Sequence, residues 1–211
     1  MPEERIQSLL EQYPQVLHGF ADISYSPYGA QYPTALVLAA PHGELLTPET
    51  YTQERFKSGI QTAKAVLDDL LAKLTALLQV LGMEYCIPPV ALVEGEKAVP
   101  FSYKFAAVNA GLGWIGKNDV LVTKRYGPRI RLAVILLRGR FPCGQKTVKS
   151  SCPGTCRKCV DICPYHALHG TLWDIDTLRA AIIDHELCRR ERSQPGRNRD
   201  CGLCMAACPY I

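Results

Sequence analysis

CRKCVDICPYHAL at residues 156–168 and CGLCMAACPYI at residues 201–211 carry one spacing, Cys-x-x-Cys-x-x-x-Cys-Pro-Tyr, and form an internal repeat. Two copies of one ligand spacing imply two equivalent sites. Cys152 precedes the first copy and Cys188 the second, which brings the thiols of this region to eight.

Four thiolates are what a [4Fe–4S] cube needs at its corners, and three that lie close in sequence can wrap one cube while the fourth arrives from elsewhere. In the bacterial ferredoxin run the cysteine before proline ligates the other cluster. The same reading here gives one cluster to Cys152, Cys156, Cys159 and Cys208, and a second to Cys188, Cys201, Cys204 and Cys163. The departures from the usual run are three residues in place of two between Cys152 and Cys156, and a long separation of Cys188 from Cys201. Both fit longer loops. Paired Cys-x-x-Cys units also build zinc ribbons, but a ribbon does not need the Cys-x-x-x-Cys-Pro ending that both copies carry.

Of ten cysteines in 211 residues, only Cys86 and Cys143 lie outside this region. They read as a small buried hydrophobe and a surplus loop thiol, and His166, His169 and His185 as bystanders. The opening MPEERIQSLLEQY is amphipathic and lacks the charged-then-apolar layout of an export signal, and no run of eighteen apolar residues occurs. A cytoplasmic protein without a membrane span is expected, and in reducing cytosol clustered cysteines bind metal in preference to forming disulfides. The net charge of +4, from 24 basic and 20 acidic residues, does not mark a nucleic-acid binder.

Upstream of the cysteines, the spacing predicts a short helix over 4–12 and a buried strand over 35–41. A long helix is expected from the Thr47-Pro48-Glu49 start signal to Gly82, with a further helix around FSYKFAAVNAG. DVLVTKRYGPRIRLAVILLRG reads as two strands joined at Gly127-Pro128, and 175–187 as a helix between the cysteine groups. The expected class is α/β (α+β), with an α/β domain over 1–140 and a small ferredoxin-like dicluster domain over 141–211.

AGLGWIGKN at 110–118 resembles a signature of epoxyqueuosine reductases, and YGPRIRL at 126–132 is similar to the matching stretch of reductive dehalogenases. In both families a two-cluster module follows this segment. The resemblance covers about residues 84–211 by motif order and the first 80 more loosely. It implies a nitroreductase-like N-terminal domain that binds cobalamin and clusters that feed electrons to its cobalt. Gly111, Gly113, Gly116 and Lys117 then become candidates for corrinoid contact, glycines because they let backbone approach a planar cofactor. Trp114 reads as a packing residue.

Three departures limit the transfer of function. The register through AGLG places the family's catalytic aspartate at Lys97, three residues before Pro100, so no catalytic residue is assigned. Glu94, Glu96, Lys97 and Tyr103 are the substitutes within reach. The chain ends at Ile211, without the helical repeats by which epoxyqueuosine reductases help hold tRNA, so tRNA is not the expected partner. Nothing resembles the twin-arginine signal of respiratory dehalogenases. The basic stretch 189–200 suits an acidic electron donor as well as RNA.

The leading expectation is therefore a two-cluster redox protein that passes single electrons from a redox donor protein or low-potential reductant to a corrinoid or other acceptor. A non-catalytic electron carrier without cobalamin is the first rival, and an authentic tRNA epoxyqueuosine reductase the second.

Overall fold

The computed structural model describes residues 2–89, 101–195, 197 and 200–210. Lys97, Glu94, Glu96 and Pro100 lie outside the described residues, as does Arg199 of the basic stretch. The chain forms two compact units, each assembled from separated segments. The first comprises Met1–Pro41, Lys64–Leu112 and Arg131–Thr147, and the second His42–Ala63, Gly113–Ile130 and Val148–Ile211. Most of the cysteine-rich segment thus folds with two pieces drawn from the N-terminal part of the sequence.

In the first unit, α1 (Pro2–Leu10) buries Ile6 and Leu10, one helical turn apart. Strands β1 (Leu17–Asp22) and β2 (Thr34–Pro41) pair antiparallel, from Leu17 opposite Ala39 to Asp22 opposite Thr34. β2 is the apolar run of the sequence and is buried from Thr34 to Ala40, as an interior strand with both faces covered must be. β1 is half-buried and was not legible, because His18 and Gly19 interrupt its alternation.

Helix α2 (Gln53–Val80) begins later than the Pro48 signal suggests. Thr47 to Thr50 close a turn, and Thr52 accepts the amide of Arg55 at 3.2 Å as the helix cap. Its buried stripe runs Phe56, Gly59, Ala63, Leu67, Leu70, Leu74, Leu78, the three-and-four spacing of one helix face. Gly82, at φ +63°, ends it, and Met83 donates to the Leu78 carbonyl.

Strand β3 (Tyr85–Cys86) follows, and α3 (Tyr103–Asn109) is capped by Ser102, whose hydroxyl accepts from the Phe105 amide. α3 packs on β1 and β2. Strands β4 (Trp114–Ile115) and β5 (Leu121–Val122) form a separate antiparallel ribbon, whereas β6 (Ile130–Leu137) joins the main sheet in the order β1-β2-β6-β3. The two strands expected to meet at Gly127-Pro128 therefore belong to different sheets.

Among the described cysteine-rich residues there are four short helices, α4 (Lys158–Asp161), α5 (Arg179–Ile182), α6 (His185–Arg192) and α7 (Leu203–Ala206). The helix expected over 175–187 is broken. Ile183 is extended, bridges to Leu168, and is followed by Asp184, which caps α6 by accepting the Leu187 amide at 2.8 Å. Among the described residues no helix is long and apolar enough to cross a membrane.

Candidate metal centres

All eight clustered cysteines lie in the second unit, and all ten thiols of the chain are unpaired. Cys152, Cys156, Cys159 and Cys208 line one small pocket together with Lys117, Val122 and Tyr210. Three of these thiols come from the first copy of the repeat and its approach, and the fourth from the end of the second. The chain arrives there because Cys208 closes α7 through its amide, which donates to the Met205 carbonyl, while the Tyr210 hydroxyl reaches the Ser151 carbonyl at 2.7 Å.

Three of the other four thiols, Cys163, Cys188 and Cys204, pack in an apolar group with Val160, Ala167, Leu168, Ile183 and Leu187, and Cys159 of the first set belongs to the same group. Cys201 stands within electrostatic range of Cys188 and Cys204. α4 carries Cys159 of the first set and is followed by Cys163 of the second, and α7 carries Cys204 of the second set and is followed by Cys208 of the first. Among the described residues no group of three or more His, Cys, Asp or Glu side chains is drawn together as ligands of a single metal ion.

Burial sets the electrostatics. It pushes the Cys159 thiol up to about 12, and the neighbouring Cys208, Cys152 and Cys156 add to the rise. Burial likewise raises Cys204, reinforced by Cys201, Cys159, Cys163 and Cys188. The Cys208 thiol is also raised by burial, while the nearby Arg129 guanidinium pulls it down. Crowded, desolvated thiols hold their protons until a cation compensates the charge. The four thiols that line the first pocket are a donor set that suits an iron–sulfur cluster.

The backbone also shows why AGLGWIGKN has its glycines. Gly111 takes φ +74° at the end of α3, where a Cβ would stand 2.6 Å from the Gln145 carbonyl oxygen. A Cβ on Gly113 would meet the Val122 carbonyl oxygen of the adjoining strand at 2.1 Å. Gly116 opens the β4–β5 turn, donating to the Val120 carbonyl and accepting from Asp119. The close approach that Gly111 and Gly113 permit is thus an approach by the chain's own backbone.

Lys117 and Asn118 sit at the tip of this turn, 4% exposed each. The Lys117 ammonium donates to the carbonyls of Pro153, Gly154 and Cys156 at 3.1, 2.8 and 2.9 Å. The Asn118 amide donates to the Cys204 carbonyl at 3.2 Å. One dipeptide therefore grips backbone from each cysteine set, a loop in the first and α7 in the second. Asp119 follows at φ +59°, buried, and takes Arg179 in two contacts of 2.8 Å that pin the turn to α5. Gly113 and Lys117, two of the residues expected at a corrinoid, are thus engaged with backbone of their own unit.

Further residues complete the surroundings. Trp114 is buried and meets Tyr210 edge-on at 4.9 Å, the packing role expected of it. Tyr51 and Phe56 secure the second cysteine loop. The Tyr51 hydroxyl accepts from the Gly202 amide at 2.9 Å, and a Cβ on Gly202 would stand 2.3 Å from the Phe56 ring. Asn118, Arg129, Tyr51 and Phe56 gave no sequence signal, though the glycine in CGLC could have pointed to a close neighbour. Tyr103, a candidate proton donor, gives its hydroxyl proton to the Pro88 carbonyl at 2.6 Å. Cys86 lies half-buried in β3, and Cys143 is exposed in a loop. His166 and His169 are exposed, and His185 faces Glu186.

No family model matches the chain. In sequence it is similar to the epoxyqueuosine reductase of Atelocyanobacterium thalassa (isolate ALOHA), with 29% identity over 126 residues that make up 53% of this chain and 38% of the relative. In fold it is similar to the solved epoxyqueuosine reductase of Streptococcus thermophilus, with a TM-score of 0.60 at 18% identity, covering 99% of this chain and 65% of that one. A solved reductive dehalogenase, described with a mechanism for B12-dependent dehalogenation, gives 0.62 at 17% identity over 92% of this chain and 29% of that one. The matches span 35% to 38% of the length of three such curated relatives. The chain resembles the superfamily of epoxyqueuosine reductases and reductive dehalogenases, with the first in sequence and fold and with the second in fold.

Proposed function

We propose that this chain is an iron–sulfur oxidoreductase that relays single electrons through two [4Fe–4S] clusters, held by Cys152, Cys156, Cys159 and Cys208 and by Cys188, Cys201, Cys204 and Cys163. The observation that carries the reading is the first set: four thiols from two distant stretches of sequence line one pocket. Thiols ringed about a pocket suit a polynuclear core. Each cluster, when bound, takes up or releases one electron at a time.

The protein's own part is to hold and insulate. Lys117 and Asn118 fix the two ligand loops by their carbonyls, and Val160, Leu168, Ile183 and Leu187 keep water from the second set. We place the dicluster, ferredoxin-like part in 141–211 and a nitroreductase-like acceptor part in 1–140. The setting is the reducing cytoplasm, and the donor is a redox protein or low-potential reductant.

The acceptor is a corrinoid on the reading supported by similarity to a B12-dependent dehalogenase. The commitment of Lys117 to backbone carbonyls favours the second reading, a carrier that delivers electrons to a separate enzyme. A titration of the anaerobically reconstituted chain with cobalamin, followed by visible absorbance, separates the two. Saturation at micromolar concentration supports the corrinoid acceptor, and an unchanged spectrum supports the carrier. Authentic tRNA epoxyqueuosine reduction is the third reading, supported by sequence similarity over 53% of the chain.

A further inference from the structure

We propose that Lys117 is a positioning residue that sets the cluster of Cys152, Cys156, Cys159 and Cys208 at the higher reduction potential of the two, making it the one from which electrons leave. This rests on the cluster assignment above.

Three carbonyl oxygens surround the Lys117 nitrogen at 2.8 to 3.1 Å, all from the loop that joins Cys152 to Cys156. A neutral amine has two N–H groups, so three acceptors on one nitrogen call for the charged ammonium. That charge is buried, with 4% of the residue exposed, and lies on the wall of the same pocket as the four thiols. A cation out of water acts at close range with little screening, so it favours the form of its neighbour that carries one more electron.

The other set receives no equivalent from the same turn. Asn118, the next residue, grips the Cys204 carbonyl with a neutral amide. Arg192 donates to the Cys188 carbonyl at 3.4 Å and its guanidinium also reaches the Cys188 thiol, but the residue is half-exposed on α6, where solvent weakens the effect of its charge. The turn thus gives charge to one loop and a neutral donor to the other. Lys117 biases a single electron toward the first set. With both clusters bound, the electron that the first would gain is the one the second would give up, and no bond or proton would change place.

The test is an EPR-monitored redox titration of the full, anaerobically loaded chain, with iron assayed in each sample. The unmodified chain is expected to show two separate potentials. In Lys117→Gln, which keeps a donor and removes the charge, the upper potential falls toward the lower. At a fixed poise the reduced-to-oxidised ratio of that cluster drops tenfold, ~59 mV for one electron. Lys117→Arg retains the upper value. Two coincident potentials in the unmodified chain overturn the proposal, even where Lys117→Gln fails to load. So do full iron content with unchanged potentials in Lys117→Gln and an equal shift of both. An unmodified chain without iron removes the cluster assignment itself, and the proposal with it.

Discussion

Cys159 shows how burial shapes the chemistry of a single residue. With its thiol pushed up from 9.0 to about 12, it keeps its proton at neutral pH in the absence of metal. Iron binds the thiolate, so loading must expel that proton, and the thiols of Cys204 and Cys208 are raised in the same direction. The sign follows. Each proton displaced weakens loading as pH falls and strengthens it as pH rises toward the thiols' own range. Iron retained against a fixed chelator concentration is expected to increase from pH 6 to pH 9, and retention that stays flat or declines over that range contradicts this account.

The residue scale is also where sequence reading reached least. The gathering of Cys152, Cys156, Cys159 and Cys208 about one pocket was legible because the cysteine spacing is repeated. Lys117 was noticed beside three glycines, but its partners are carbonyls more than thirty residues away, and main-chain acceptors leave no mark in a sequence. Tyr51 and Arg129 escaped for the same reason: one acts on a distant backbone amide and the other through its charge on the distant Cys208.

Among the elements, runs governed by local rules were read well. The stripe of α2, the apolar β2 and the helix α3 within FSYKFAAVNAG each follow from residues within a few turns. Elements decided by distant partners were not: β1 depends on its pairing with β2, and the break between α5 and α6 on the bridge from Ile183 to Leu168. The segment leading into α2 adds a testable case. Phe56 is buried between His42 and Tyr51, at ring separations of 5.6 and 5.7 Å, so it cannot swing away from a methyl group added at Gly202. Gly202→Ala is expected to destabilise the loaded chain by about 1–3 kcal/mol. Combining it with Phe56→Leu should recover part of the loss, a non-additive pair in a double-mutant cycle of thermal unfolding. Fully additive effects would count against this contact.

At the scale of the whole molecule, the cysteine-rich segment does not fold from its own residues alone. The second unit takes in His42–Ala63 and Gly113–Ile130, and these supply the Tyr51 and Phe56 contacts and the Lys117–Asn118 grip. A sequence boundary near residue 140 follows the change in composition, whereas compactness follows contacts that cross it. The same organisation ties AGLGWIGKN, the strongest mark of resemblance, to the cysteine loops. That segment builds the turn that holds them.

The central claim is that eight thiols hold two clusters, and the most direct measurement is the iron, acid-labile sulfide and zinc content of the anaerobically purified chain, with EPR after dithionite reduction. The account predicts about eight irons and about eight sulfides per chain, with the signal of reduced [4Fe–4S] clusters. Zinc without iron or sulfide, and no such signal, would contradict it.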